Sequence, residues 1–318
     1  MKKSQDFYQK LKNSSRGGQA ILALAPMAGV TDSAFRQICK KFGADIVYSE
    51  MASVNALVFN PQKTLEMLKF SRFERPYIVQ LFGSDSKHFI QATKLIQKII
   101  KPDGIDINFG CPVKKVAKQG AGAVLMNDLK LSKEIIKSVI DSTDLPVSIK
   151  LRSKVGKIDA IKFLDNIKDL DIKAIIIHGR ILNQGHSGPV DCKIIKKARD
   201  YFDGVILANG GIKDYESAQE LLNKTKADGI GIGQGALGRP WIFEEIKKGK
   251  LKIKSREDIL KIALEHAKLV KKIKGEQGII EMRKHLCWYV QGLSGARKIR
   301  AEAVKVKSIQ DIEKIFNL

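Results

Sequence analysis

The sequence predicts a (β/α)8 TIM barrel followed by a small C-terminal all-helical domain. Three observations carry this prediction. Eight short, β-rich apolar runs recur up to residue 232. Amphipathic stretches separate most of them. From about Ser255 onward the strand-like runs stop. Strands alternating with helices imply parallel strands joined by right-handed crossovers. Eight such units in roughly 220 residues suit a closed barrel better than an open sheet. An open doubly wound sheet is the competitor. It would show a G-x-G-x-x-G turn after its first strand, where this chain reads APMAGVTD.

In order, the runs are ILALA (21–25), DIVYS (45–49), YIVQL (77–81), GIDIN (104–108), PVSIK (146–150), KAIII (173–177), GVILA (204–208) and DGIGI (228–232). Helical periodicity is clearest in SKHFIQATKLIQKII (86–100) and LSKEIIKSVIDS (131–142). Past Pro240, helices are predicted over 255–274, 276–293 and 308–317. SRED (255–258) supplies an N-cap and an acidic first turn. The domains divide as 1–245 for the barrel and 246–318 for the helical unit.

Composition narrows the class. Hydrophobic residues make up 44% of 318, and no apolar run approaches the roughly 18 residues of a membrane span. MKKSQDFYQKLKNSS has a signal peptide's charges without its apolar core, which reads as a polar leader on a cytoplasmic protein. The cysteines, at 39, 111, 192 and 287, form no C-x-x-C pair, against structural zinc and against a disulfide framework. Cys39, Cys192 and Cys287 read as small buried hydrophobes. Lysine and arginine number 57 against 34 acidic residues, a net charge of +23 that suggests a polyanionic partner. The excess is densest after Trp241.

A barrel enzyme carries its chemistry at the C-terminal ends of its strands. Here those ends offer Pro26, Met27 and Ala28, then Gln80, Asn108 with Cys111 beyond it, Lys150, His178 with Arg180, Asn209-Gly210-Gly211, and Gly233-Gln234. A lysine closing a strand of valine and isoleucine is costly without a partner. Glycine loops after the seventh and eighth strands let backbone N–H groups approach a phosphate. The plain alternatives are polar strand ends facing water and glycines serving tight turns. A phosphorylated ligand with Lys150 over its other end suits flavin mononucleotide (FMN), whose reduced ring carries negative charge that a lysine stabilises. Gln80 can offer a donor and an acceptor to the pyrimidine edge. A Schiff-base lysine is the competing reading of Lys150.

APMAGVTDSAFR (25–36), NFGCPVKKV (108–116), GAGAVLM (120–126), IKLR (149–152), IHGR (177–180), LANGGI (207–212) and ALGRPWIF (236–243) resemble the tRNA-dihydrouridine synthases. RKHLCWY (283–289) is similar to the helical domain of their bacterial B-type branch. The resemblance implies an FMN enzyme that uses NADPH to reduce the C5–C6 double bond of particular tRNA uridines, mainly in the D-loop. It implies cofactor contacts at Pro26, Met27, Ala28, Gln80, Lys150, His178, Asn209, Gly210, Gly211, Gly233 and Gln234, and a catalytic Cys111. In the family an acidic residue often stands at Gly211 and an arginine at Gln234. The second departure removes a cation from the phosphate clamp and implies weaker flavin binding, without changing the reaction.

Reducing uracil takes a hydride at C6, from flavin N5, and a proton at C5 from the other face. A thiol of ordinary pKa, about 8.5, is mostly protonated at neutral pH and can be that acid. Cys111, between Gly110 and Pro112, fits it. Lys114 and Lys115 are expected to face the RNA backbone with their ammonium groups turned from the thiol. Asn108 orients flavin or uracil. Arg152 and Arg180 are read either as phosphate or ribose contacts or as salt-bridged rim residues. The target base must leave its stack, held by backbone contacts from Arg283, Lys284, Arg297, Lys298 and Arg300. A solvated lysine-rich face is the plain reading of that cluster; Trp288 and Tyr289 could stack on a base, with core packing the preferred reading. No metal, membrane or obligate protein partner is expected. The rivals are a flavin barrel acting on a free pyrimidine and a non-catalytic tRNA-binding protein.

Overall fold

In the computed structural model, which describes residues 7–16, 19–249 and 255–317, each predicted run becomes a strand of one closed parallel barrel. The strands are β1 (Ile21–Leu24), β2 (Ile46–Ser53), β3 (Tyr77–Phe82), β4 (Gly104–Phe109), β5 (Val147–Arg152), β6 (Ala174–His178), β7 (Val205–Asn209) and β8 (Gly229–Ile232). Each pairs with its neighbours in sequence, and β8 closes on β1 through Leu24 opposite Ile232. Helices cover the outside and side chains fill the inside. The strands are therefore apolar on both faces, which is why they read as continuous runs.

The loop-to-helix turns share one device. Asp85, Asp128, Asp159, Asp191 and Asp214 each accept a hydrogen bond from the backbone N–H three residues on. These N-caps start the outer helices at fixed points. The helices expected at 86–100 and 131–142 run over Ser86–Ile99 and Leu129–Asp141.

Two expectations needed correction. The N-terminal leader is not merely polar, because Phe7–Arg16 forms a helix under the barrel. Its Tyr8 is 1% exposed and its hydroxyl lies 3.0 Å from that of Tyr48 inside the barrel. Lys12 donates to the carbonyls of Asp203 and Gly204. One helical face thus closes the N-terminal mouth, leaving the opposite mouth for a site. Strand β2 also runs to Ser53, with a register shift between Tyr48 and Met51. There the Ser49 hydroxyl accepts from the Gln80 N–H at 3.0 Å.

The C-terminal region is helical, as expected. Arg256–Tyr289 is broken at Gly275, whose φ of 64° suits glycine, so the predicted boundary between two helices falls where the backbone turns. Ser255 is the N-cap expected of SRED, and Asp258 reciprocates to complete a capping box. A helix at Ala296–Ala303 was not foreseen, and Ile309–Phe316 follows. Their apolar faces pack with Ala34 and Trp241 from the barrel side. Among the described residues no helix is long and apolar enough to cross a membrane.

Candidate active site

At the C-terminal mouth lies a cavity of about 630 Å³. Strand register decides what lines it. Gln80 stands opposite Asp106, Asp106 opposite Ser148, and Asn108 opposite Lys150. Arg152 stands opposite His178, and His178 opposite Asn209. Residues at one level of a barrel thus meet laterally although they are distant in sequence.

Pro26, Met27, Ala28, Gln80, Asn108, Cys111, Lys150, Arg152, His178, Arg180, Asn209, Gly210, Gly211, Gly233 and Gln234 all face this cavity. The loop after β1 is held from behind by a buried ion pair, Arg36 Nε to Glu74 Oε2 at 2.5 Å, with both side chains fully buried. Arg36 also donates to the Thr31 carbonyl at 2.6 Å, and Ser33 and the Ser71 N–H donate to Glu74. Such a pair holds geometry because every charge on it is hydrogen-bonded.

Lys150 lies inside a strand that continues to Arg152, not at its end as expected. Its ammonium donates to Asn209 Oδ1 at 3.3 Å, and Asn209 Nδ2 donates to the Gly231 carbonyl at 2.6 Å. Burial, reinforced by nearby Arg152, lowers the lysine pKa to about 8. His178 is pushed down to about 2 by burial and by Lys150, Arg152 and Arg180, so its imidazole is neutral.

The glycine loops behave as close-approach surfaces. A Cβ on Gly210 (φ 118°) would stand 3.0 Å from the His178 ring, and one on Gly235 would stand 2.3 Å from the Ile212 carbonyl. A Cβ on Gly211 (φ 75°) would stand 3.8 Å from Arg180 Nη2. Where Gln234 leaves the loops without an arginine, Arg180 therefore brings a guanidinium to Gly211, and Lys213 also lines the cavity.

Cys111 sits on a turn fixed from several directions. Its N–H and that of Gly110 donate to Asn108 Oδ1 at 2.9 and 3.0 Å. Its carbonyl accepts from the Ala123 N–H at 3.0 Å. Gly122 comes so close that a Cβ there would stand 3.0 Å from the Cys111 carbonyl oxygen. Burial raises the thiol pKa, and Arg152 and Lys150 partly oppose that rise. Lys114 and Lys115 stand exposed on the short helix Lys114–Ala117.

Arg152 is not the salt-bridged rim residue of one reading: among the described residues it bonds backbone carbonyls and enters no ion pair, and it lines the cavity. It is 1% exposed, and it donates to the carbonyls of Gly110, Ile181 and Gly185 at 2.9, 3.1 and 3.1 Å. It ties the Cys111 turn to the loop after β6. Arg283 likewise donates to the Val306 carbonyl within the helical region, and Lys284 reaches the Gly29 carbonyl. Arg297, Lys298 and Arg300 remain exposed. Among the described residues they enter none of the ion pairs that occupy Lys268, Lys271, Lys274 and Lys305. Tyr289 is core, at 2% exposure. Trp288 is not: it lines the cavity. Cys39 is buried as expected, whereas Cys192 and Cys287 are partly exposed.

Asp106, beneath the cavity, and His186, lining it, are site residues not expected from the sequence. Asp106 carried a signal of the kind that marked Lys150, a charge inside an apolar strand. His186 stacks near His178 with ring centroids 6.0 Å apart, and nothing in its loop sequence marked it.

A closed barrel whose polar groups converge on one cavity at the C-terminal strand ends defines a TIM-barrel enzyme. Solved structures agree on the fold. They include TcOYE, with a TM-score of 0.53 and 13% identity over 75% of this chain and 92% of that one. Histamine dehydrogenase from Rhizobium sp. 4-9 gives 0.56 and 11% over 78% and 49%. The family model described as dihydrouridine synthase matches residues 23–317. tRNA-dihydrouridine synthase B of Pseudomonas syringae pv. tomato is 34% identical, covering 88% of this chain and 85% of that protein. A probable tRNA-dihydrouridine synthase of Aquifex aeolicus is 31% identical over 93% and 94%. The chain belongs to the dihydrouridine synthase family.

Proposed function

We propose that the chain is a tRNA-dihydrouridine synthase that uses FMN and NADPH, with Cys111 as the proton donor. One observation carries this reading: a thiol held above its ordinary pKa shares a single cavity with Lys150 and with two glycine loops shaped for an anion. The residues fit a flavin mononucleotide. Gly210, Gly211, Gly233 and Gly235 form a surface that side chains would fill, suited to the phosphate, with Arg180 beside it. Lys150 and neutral His178 line the same cavity, Lys150 bonded to Asn209, and suit the pyrimidine edge of the ring, while Pro26, Met27 and Ala28 line it from the loop after β1. Bound flavin supplies the hydride that reaches uracil C6.

The protein's own share is the proton and the placement. Burial keeps Cys111 in its S–H form at neutral pH, so it can give its proton to C5. The thiolate left behind is stabilised by Arg152 and Lys150 until solvent reprotonates it. The exposed Arg297, Lys298 and Arg300, together with exposed Lys114 and Lys115 just past the Cys111 turn, suit the phosphates of a folded RNA. Trp288, from the helical region, lines the cavity that an extruded nucleotide must enter. A tRNA substrate places the work in the cytoplasm.

The test is to incubate purified protein with NADPH and either unmodified tRNA or free uridine, and to assay dihydrouridine by mass spectrometry. Product on tRNA alone is expected. Equal activity on the free nucleoside would favour a free-pyrimidine enzyme. A colourless protein that binds tRNA without turnover would make it a binding module.

A further inference from the structure

Beneath the cavity a buried chain of four side chains runs from a carboxylate to the cysteine turn. Ser148 Oγ donates to Asp106 Oδ1 at 2.6 Å. Gln80 Nε2 donates to Asp106 Oδ2 at 2.7 Å. Asn108 Nδ2 donates to Gln80 Oε1 at 2.7 Å. Asn108 Oδ1 then accepts from the N–H groups of Gly110 and Cys111. Asp106 and Ser148 are fully buried, Gln80 is 1% exposed and Asn108 7%.

The polarity of this chain follows from its ends. An ionised carboxylate only accepts, and backbone N–H groups only donate. Two amides between such ends satisfy both in one orientation only. Turning either amide sets N–H against N–H in a buried site, a costly arrangement. We propose that Asp106 is a positioning residue, which through Gln80 and Asn108 fixes the turn that presents Cys111. The proposal rests on Cys111 being the proton donor. A ring of apolar side chains would fill this level of the barrel without burying a charge. The carboxylate is raised to about 6 by burial, eased by Gln80, Ser148 and Lys150, so it is mainly ionised at neutral pH.

Two nearly isosteric replacements separate direction from bulk. In Asp106→Asn the new carbonyl can take Gln80 and the new amide can give to Ser148, so the polarity survives. In Asp106→Leu nothing orients Gln80. The first readout is alkylation of Cys111 by iodoacetamide in flavin-free protein, followed on the Cys111 peptide by mass spectrometry. The second is single-turnover dihydrouridine formation together with the KM for tRNA, with Cys111→Ala alongside. The Leu variant should alkylate about tenfold faster, as its turn loosens, and turn over about 100-fold slower at unchanged KM. The Asn variant should stay within about threefold of wild type on both. Should the Leu variant not fold, Asp106→Asn combined with Ser148→Ala frees the new amide to reverse, and about tenfold slower turnover is expected in the pair but not in Ser148→Ala alone. Wild-type alkylation and turnover in the Leu variant, or in the pair if Leu does not fold, would overturn the proposal, as would an Asn variant as impaired as Leu. Full turnover by Cys111→Ala would instead remove the acid role, and the alkylation rates would still decide the positioning.

Discussion

The barrel mouth and the junction with the helical region both bury polar side chains, and they treat them in opposite ways. At the mouth Asp106, Gln80, Asn108 and Ser148 are bonded to one another in a single consistent direction. At the junction His266 and His285 pack edge-on with ring centroids 4.8 Å apart against Phe35 of the barrel. His266 Nδ1 meets the Tyr289 hydroxyl, but His266 Nε2 and His285 Nδ1 have no hydrogen-bond partner among the described residues. Asp32 and Lys274 close the rim of that junction with a 2.7 Å ion pair. A fully paired cluster holds one geometry, whereas an incompletely paired one opens at lower cost. The mouth is built to place atoms at some cost in stability, whereas the junction packs the helical region on the barrel with two ring nitrogens unpaired among the described residues.

The sharpest way to break this contrast is at Lys150. Its folded pKa of about 8 lies below the unfolded value near 10.5, so below pH 8 the buried ammonium costs stability. Lys150→Met should slow tRNA reduction by roughly 100- to 1,000-fold while leaving the urea midpoint at pH 7.5 unchanged or higher. Single-turnover kinetics beside urea titration checks both. A large loss of stability would mean that the mouth is ordinary core.

Acid should weaken the junction through its buried histidines. His266 is held near 4, mainly by burial, and His285 is driven well down too. The unfolded histidines, near 6.5, take protons before the folded ones. Stability from His266 is therefore complete above about pH 6.5 and declines as pH falls toward 4, by about 3 kcal/mol. Asp106 has the opposite sign: its raised pKa means that protonation near pH 6 favours the folded barrel. Urea midpoints between pH 7.5 and 4.5, for wild type and for His266→Gln, should show the decline flattened in the variant.

Smaller effects sharpen the division of labour. Changing Arg297, Lys298 and Arg300 together to glutamine should weaken tRNA binding by tenfold or more and reduce the salt slope by about three, with flavin content unchanged. Arg180→Ala should weaken flavin binding by only about five- to tenfold, since the loop N–H groups remain. Filter binding and fluorescence titration measure these.

The sequence showed the barrel because each of the eight strands begins within a run that burial on both faces forces to be apolar. Lys150, His178 and Asn209 were legible for a related reason, being polar residues at or near strand ends. Asp106 escaped because its meaning lies in its lateral neighbours, Gln80 and Ser148, which only register reveals. That Arg152 bonds three backbone carbonyls was not legible, because those partners lie in loops distant in sequence. The helix at Ala296–Ala303 lies after two positive-φ glycines, Gly292 and Gly295, and its cationic face hid its periodicity. Trp288 could not be assigned because periodicity does not say which neighbour a helix face meets.

In the proposed reaction Cys111 delivers the proton, and the rest of the mouth holds the flavin that NADPH reduces. The direct measurement is rapid mixing of NADPH-reduced Cys111→Ala protein with tRNA lacking dihydrouridine, following flavin reoxidation by absorbance. Reduction by NADPH at the wild-type rate and reoxidation slowed at least about 1,000-fold is the predicted result. Reoxidation at the wild-type rate would contradict it.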